Sequence, residues 1–171
     1  MGRRFDIYPT KGCGTHVHVS SGQWKLDHYK RIAKAIIGCE AEIDARMAEL
    51  GAEHRNEDNE YCKSNSKHSS LQGKELADAE RDIENVENIE DLVGLLCGPK
   101  KGNDYDRDFK WNLTGLLESN RCTIEFRQPP ACQSADDAVG WVRVTTEFLE
   151  AAAAGAELDN LKAKWSTGPK H

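Results

Sequence analysis

At 171 residues, with 38% apolar and 30% charged side chains, the chain is long enough to bury a core unaided; it is too polar for a membrane-spanning protein and too apolar for a disordered one. A formal charge of −6 with no basic stripe argues against nucleic acid as the main partner, and no stretch approaches transmembrane length. The opening Met1-Gly2-Arg3-Arg4-Phe5-Asp6 lacks the apolar run of a secretory signal, and Asp6 stands where a myristoylation signal requires Ser or Thr. Six dispersed cysteines with no Cys-x-x-Cys suit reduced thiols in a cytoplasmic protein.

The first expected strand is Gly14-Thr-His-Val-His-Val-Ser20, whose alternation puts His16, His18 and Ser20 on one face and Val17 and Val19 on the other. Apolar spacing from Leu26 to Leu50 predicts one long amphipathic helix, capped by Asp27 and ended by Gly51. The polar stretch 52–73 reads as a long loop, and within it residues 56–70 are expected to act as a lid, with Tyr61 covering a ligand. A short helix is expected over Ile89–Leu96, with Asn88 as its cap and Gly98-Pro99 as its stop. After a charged linker, Phe109, Trp111, Leu113 and Leu116 suggest a strand or irregular hairpin leading into a strand over Arg121–Gln128.

In that strand Glu125 and Arg127 share one face, while Cys122, Ile124 and Phe126 form the apolar one. Following Pro129-Pro130, Ser134 and Asp137 form a capping-box start to a last helix that buries Val139, Val142, Thr145, Phe148, Leu149 and Ala152. One domain is expected over 1–164, with a frayed tail over 165–171, although the four tryptophans, Trp24, Trp111, Trp141 and Trp165, read as packing residues. The expected class is α+β, an antiparallel sheet backed by helices on one face.

Two imidazoles, a carboxylate and a guanidinium on one sheet face form an inventory for holding a metal and a phosphate or carboxylate. Other readings stay open. The histidines could be hydrogen-bonded structural groups, and Glu125 with Arg127 could be a cross-strand ion pair on a solvated face. Zinc held by two histidines alone would be incomplete. Arg55 and its acidic surroundings could be solvated surface. The Asp104-x-Asp106-x-Asp108 run lacks the glycine and final glutamate of a calcium loop and reads as surface charge.

The order of motifs, Cys13-Gly-Thr-His-Val-His-Val19, a helix, Arg55 with Asn59-Glu-Tyr-Cys62, Trp111-Asn-Leu113, then Thr123-Ile-Glu-Phe-Arg-Gln128 and a helix, resembles the amidoligase family. That family belongs to the carboxylate-amine ligases of glutamine-synthetase-like fold. The resemblance implies a concave sheet face binding ATP and Mg2+. On it His16, His18, Glu125 and Arg127 would be the catalytic residues, with Glu125 and His18 touching metal and Arg127 neutralising the transferring phosphoryl group. Arg55 would hold a substrate carboxylate or a phosphate, and Asn59, Tyr61, Asn112 and Gln128 would line the substrate site.

The expected substrate is a small carboxylate, carried by an amino acid, a peptide or a secondary metabolite. Ligases of this fold carry an earlier Glu-x-Glu strand for their metal ions. Only twelve residues precede Cys13, so that first metal-binding strand is expected to be missing. Asp6, the Glu57-Asp58-Glu60 group and the Asp104-Asp106-Asp108 group are the replacement carboxylates on offer. Three consequences are compatible with this: the sequence is a fragment of a longer ligase; a second subunit completes the site, with the exposed sheet edge paired in a homodimer; or the fold has lost ATP chemistry, as an enzyme without ATP or any cofactor that uses His, Glu and Arg for cyclisation, isomerisation or dehydration, or as a ligand-binding module without turnover.

Overall fold

The computed structural model describes residues 10, 12–20, 22–56, 59–98, 102 and 104–166. Asp6, Glu57 and Asp58 lie outside the described residues, as do 167–171 of the expected tail.

The fold is α+β. Three strands, β1 (Val17–Ser20), β2 (Trp111–Asn112) and β3 (Thr123–Phe126), form an antiparallel sheet in the order β1-β3-β2. The helices are α1 (Leu26–Gly38), α2 (Glu40–Glu49), α3 (Leu76–Asn85), α4 (Ile89–Leu96), α5 (Ala135–Ala153) and α6 (Leu158–Ser166), with 3-10 turns at Glu53–Arg55 and Thr114–Leu117. His18 and Asn112 both stand opposite Glu125, so one rung crosses all three strands; Val17 and Trp111 flank Phe126 on the next.

The apolar face of the sheet packs on α5 and α6. Trp111 stacks on Phe126 with ring centroids 4.2 Å apart, and Trp165 lies within 5.5 Å of Phe126 and 5.3 Å of Phe148. Trp111, Trp141 and Trp165 are all buried, and Trp24 packs edge-on against Tyr29. Trp165 therefore belongs to the core, and the expected tail boundary at 165 gives way to α6, a helix the amphipathic pattern of the chain did not signal.

Other expectations need correction. The long helix over 26–50 breaks at Cys39 into α1 and α2, with Lys25 rather than Asp27 at the N-cap; Gly51, at φ 67°, ends α2 in the left-handed region open to glycine. The buried side of α5 carries Trp141, Val144, Thr145, Phe148, Leu149 and Ala152, whereas Val139 and Val142 are exposed. Helical period alone leaves two adjacent apolar stripes on α5, and the tryptophan, having more area to bury, takes the inner one. Cys122, expected on the apolar face, is exposed at φ 47°, just before β3 begins. The caps at Asn88 and Ser134 form as the sequence predicts, each side chain accepting from the backbone N–H of the third helical residue, Asp91 and Asp137 respectively.

The segment 59–73 is anchored rather than loose. Asn65 is fully buried; its Nδ2 donates to the carbonyls of Leu96 and Trp111 at 3.0 and 2.9 Å, and its Oδ1 accepts from Trp111 N–H at 2.9 Å. One side chain thus satisfies the outer edge of β2, and the Lys63 main chain pairs with Asp108 and Lys110 beside it. Among the described residues β1, the other edge, pairs only with β3.

Candidate functional site

The face of the sheet turned away from the helices is built around Glu125. Its side chain is 4% exposed, and its Oε1 receives His16 Nδ1 at 2.8 Å, Arg127 Nη1 at 3.0 Å and His18 Nε2 at 3.4 Å. The other oxygen accepts from Asn112 Nδ2 at 2.8 Å. Burial on its own would raise this carboxyl, but the hydrogen bonds from His16 and Asn112, together with the charges of Arg127 and His18, pull it down to about 2. Glu125 is therefore a carboxylate at any working pH. The two imidazoles remain reachable, at 37% and 44% side-chain exposure.

Arg127 links this centre to a cleft of about 560 Å³ lined by Lys63, the run Asp104 to Asp108 and Arg127 itself. Its Nη2 reaches Asp108 Oδ1 at 3.3 Å, and Nε is buried without a partner among the described residues. Asp106 pairs with Lys63 at 2.6 Å. The aspartate run expected to be plain surface charge is thus a wall of the cleft beside Arg127.

Of the residues expected at the site, His16, His18, Glu125, Arg127 and Asn112 converge. The others stand elsewhere. Arg55 is 3% exposed and donates to the carbonyls of Arg127 and Gln128. Gln128 is fully buried, its Nε2 donating to Asp44 Oδ1 at 2.6 Å and Asn56 Oδ1 at 3.0 Å. Asn59 is occupied in a local turn, donating to His54 O and accepting from Tyr61 N–H. Tyr61 is 60% exposed.

A buried ionic group beneath the site escaped the sequence reading. Lys110, 1% exposed, donates to Glu40 Oε1 at 2.9 Å and to both oxygens of Asp44 at 2.7 and 2.8 Å, and Ser66 donates to the second Glu40 oxygen at 2.6 Å. Burial works against the Glu40 charge, yet Lys110 and Ser66 keep its carboxyl below the ordinary value. A lysine set between Phe109 and Trp111 in an apolar run was the available signal. Three buried cysteines are held as thiols: burial pushes Cys62 up to about 11 and Cys39 and Cys97 up to about 12.

A magnesium ion takes oxygen ligands in near-octahedral array. Both oxygens of Glu125 already accept from nitrogen donors, the next carboxylate, Asp108, faces Arg127, and among the described residues no group of three or more His, Cys, Asp or Glu could hold a metal ion. In this arrangement the described residues do not fit a magnesium centre. No helix among them is long and apolar enough to cross a membrane.

Comparison with curated proteins gives no match, and comparison with solved structures gives none. A family model does match: "Putative amidoligase enzyme", over residues 2–149, which takes in β1, β3, every residue of the Glu125 centre and most of α5. With most of its length and all of this centre inside that match, the chain belongs to the amidoligase family.

Proposed function

We propose that this chain is a carboxylate-amine ligase that forms an amide bond on an amino acid, a peptide or a metabolite carboxylate at the expense of ATP, on the glutamine-synthetase-like arrangement its family resemblance implies. The observation that carries the reading is the convergence of His16 Nδ1 and Arg127 Nη1 on Glu125 Oε1, at 2.8 and 3.0 Å. An ionised Glu125 accepts the Nδ1 proton of His16, which leaves Nε2 as the basic nitrogen on a half-exposed ring.

Phosphoryl transfer from ATP would supply an activated carboxylate. The amine then forms the C–N bond, phosphate departs with the C–O bond electrons, and His16 Nε2 takes the proton the amine must lose. Arg127, with Nε unpartnered among the described residues and its guanidinium lining the cleft, holds the anionic group of the substrate or of the departing phosphate. Asn112 keeps the second Glu125 oxygen in place from the adjacent strand.

One observation favours a second reading. With both Glu125 oxygens engaged by donors, the face suits acid-base chemistry on a small anion without ATP, His16 moving the proton and Arg127 anchoring the charge.

Hydroxylamine trapping separates the two. An activated carboxylate reacts with hydroxylamine to give a hydroxamate whatever the natural amine, so a panel of amino acids and dipeptides is offered with ATP, magnesium and hydroxylamine. Hydroxamate formed by the wild type and lost in Arg127→Ala supports the ligase. Absence of hydroxamate, with no nucleotide binding at millimolar ATP by calorimetry, rejects it in favour of the ATP-independent reading.

A further inference from the structure

β3 stops at Phe126, one residue before Arg127, and the strand pairing slips there. Val17 stands opposite Phe126, whereas Gly14 bridges Pro130, so two residues, Thr15 and His16, face three, Arg127, Gln128 and Pro129. An extra residue on one strand is a bulge, which bends the chain, leaves main-chain groups off the ladder and re-aims side chains. Here the orphaned groups are taken by a side chain from the 3-10 turn at Glu53–Arg55. Arg55 Nη2 donates to the carbonyl of Arg127, and its Nε donates to that of Gln128 at 3.2 Å. From the other side Arg127 N–H donates to Lys110 O at 2.8 Å, and Thr15 N–H to Pro129 O at 3.0 Å.

The guanidinium reaches this place because position 14 has no side chain. A Cβ on Gly14 would lie 2.5 Å from Arg55 Nη2 and 2.9 Å from its Cζ. Such a clash with the end of a long side chain is ordinarily relieved by swinging that end away. Swinging Arg55 away would break both of its bonds to the bulge and leave a buried cation and two carbonyls unmatched.

We propose that Arg55 is a positioning residue, admitted by the gap at Gly14, that sets the bulge after β3 and thereby aims the Arg127 guanidinium at Glu125 and the cleft. The catalytic consequence rests on the reading of Arg127 as the anion-holding group; the structural claim does not.

The test follows the side-chain 15Nε–1Hε signal of Arg127 by NMR in the full chain, with thermal denaturation alongside, for Gly14→Ala, Arg55→Gln, Arg55→Lys and the Gly14→Ala/Arg55→Gln pair. Gly14→Ala and Arg55→Gln should each displace the Arg127 signal and speed its hydrogen exchange by about tenfold. The double variant should go no further than either single one, since both remove the same contact, and Arg55→Lys, which keeps a donor, should recover part of the wild-type signal. A wild-type Arg127 signal in both single variants, or additive effects in the double one, overturns the proposal even where the melting temperature falls. If Arg55→Gln does not fold, Gly14→Ala and Arg55→Lys decide: an undisturbed Arg127 signal in both overturns the proposal. The readout needs no ATP, so a failed hydroxamate assay with the expected NMR result discards the ligase reading and keeps the positioning role.

Discussion

Lys110 Nζ sits 2.7 and 2.8 Å from the two oxygens of Asp44, and this contact ties α2 to the residue that precedes β2. The same ammonium holds Glu40 at 2.9 Å, so one buried cation serves two carboxylates. Lys110→Met should therefore destabilise the fold by about 3–5 kcal/mol, because both carboxylates lose their counter-charge in a site with little access to water. Urea denaturation measures this. A loss below about 1 kcal/mol would mean that solvent reaches Glu40 and Asp44 far more than their packing indicates.

The pH dependence of stability should carry the mark of Glu125. Its folded value of about 2 lies below the ordinary 4.5, so its contribution is fully present above 4.5 and is lost as pH falls through the folded value. Denaturation midpoints of the wild type should drop between pH 5 and pH 2.5, and Glu125→Gln, which cannot titrate there, should show a shallower drop. Parallel curves for the two proteins would remove Glu125 from the account.

The two histidines should differ in activity. His16 makes the 2.8 Å contact that fixes its ring, while His18 lies at 3.4 Å from the same oxygen and 3.5 Å from Thr123 Oγ1. His16→Ala should lower turnover by about 10²–10⁴-fold, the range of a lost acid-base group. His18→Ala should cost less and act mainly through substrate affinity. Steady-state kinetics on whichever substrate passes the hydroxylamine screen would show the split, and equal losses in turnover would mean that both rings handle the proton.

Trp165→Ala should cost about 3–5 kcal/mol, as large aromatic truncations in cores do. The indole packs against Trp111, Phe126 and Phe148, so the loss falls on the apolar underside of the sheet that carries Glu125. Chemical denaturation of this variant tests whether α6 is integral to the fold; a wild-type midpoint would mean that the core closes without it.

Two kinds of information were available in the chain itself. Alternation placed His16 with His18 and Glu125 with Arg127, because the two-residue repeat of a strand assigns faces without reference to any neighbour. Capping at Asn88 and Ser134 was equally legible, since a cap bonds a backbone N–H three residues away. The motif order was enough to indicate the amidoligase family, which the match over residues 2–149 bears out.

Contacts between distant segments followed no local rule. Nothing within a few residues of Arg55 indicates that its guanidinium is consumed by the carbonyls of Arg127 and Gln128, more than seventy positions on, so a residue that reads as a substrate anchor is buried in the frame instead. Lys110 likewise finds Glu40 and Asp44 only once α2 is brought against the segment that precedes β2. Trp165 reads as part of a tail until the aromatic cluster closes around it. The sequence by itself determined which side chains share a face and where several helices begin, because those follow from backbone periodicity and short-range hydrogen bonds. Tertiary structure alone decided which charges stay on the open face and which are spent holding it, because burial and pairing of a charged group depend on what the folded chain brings against it.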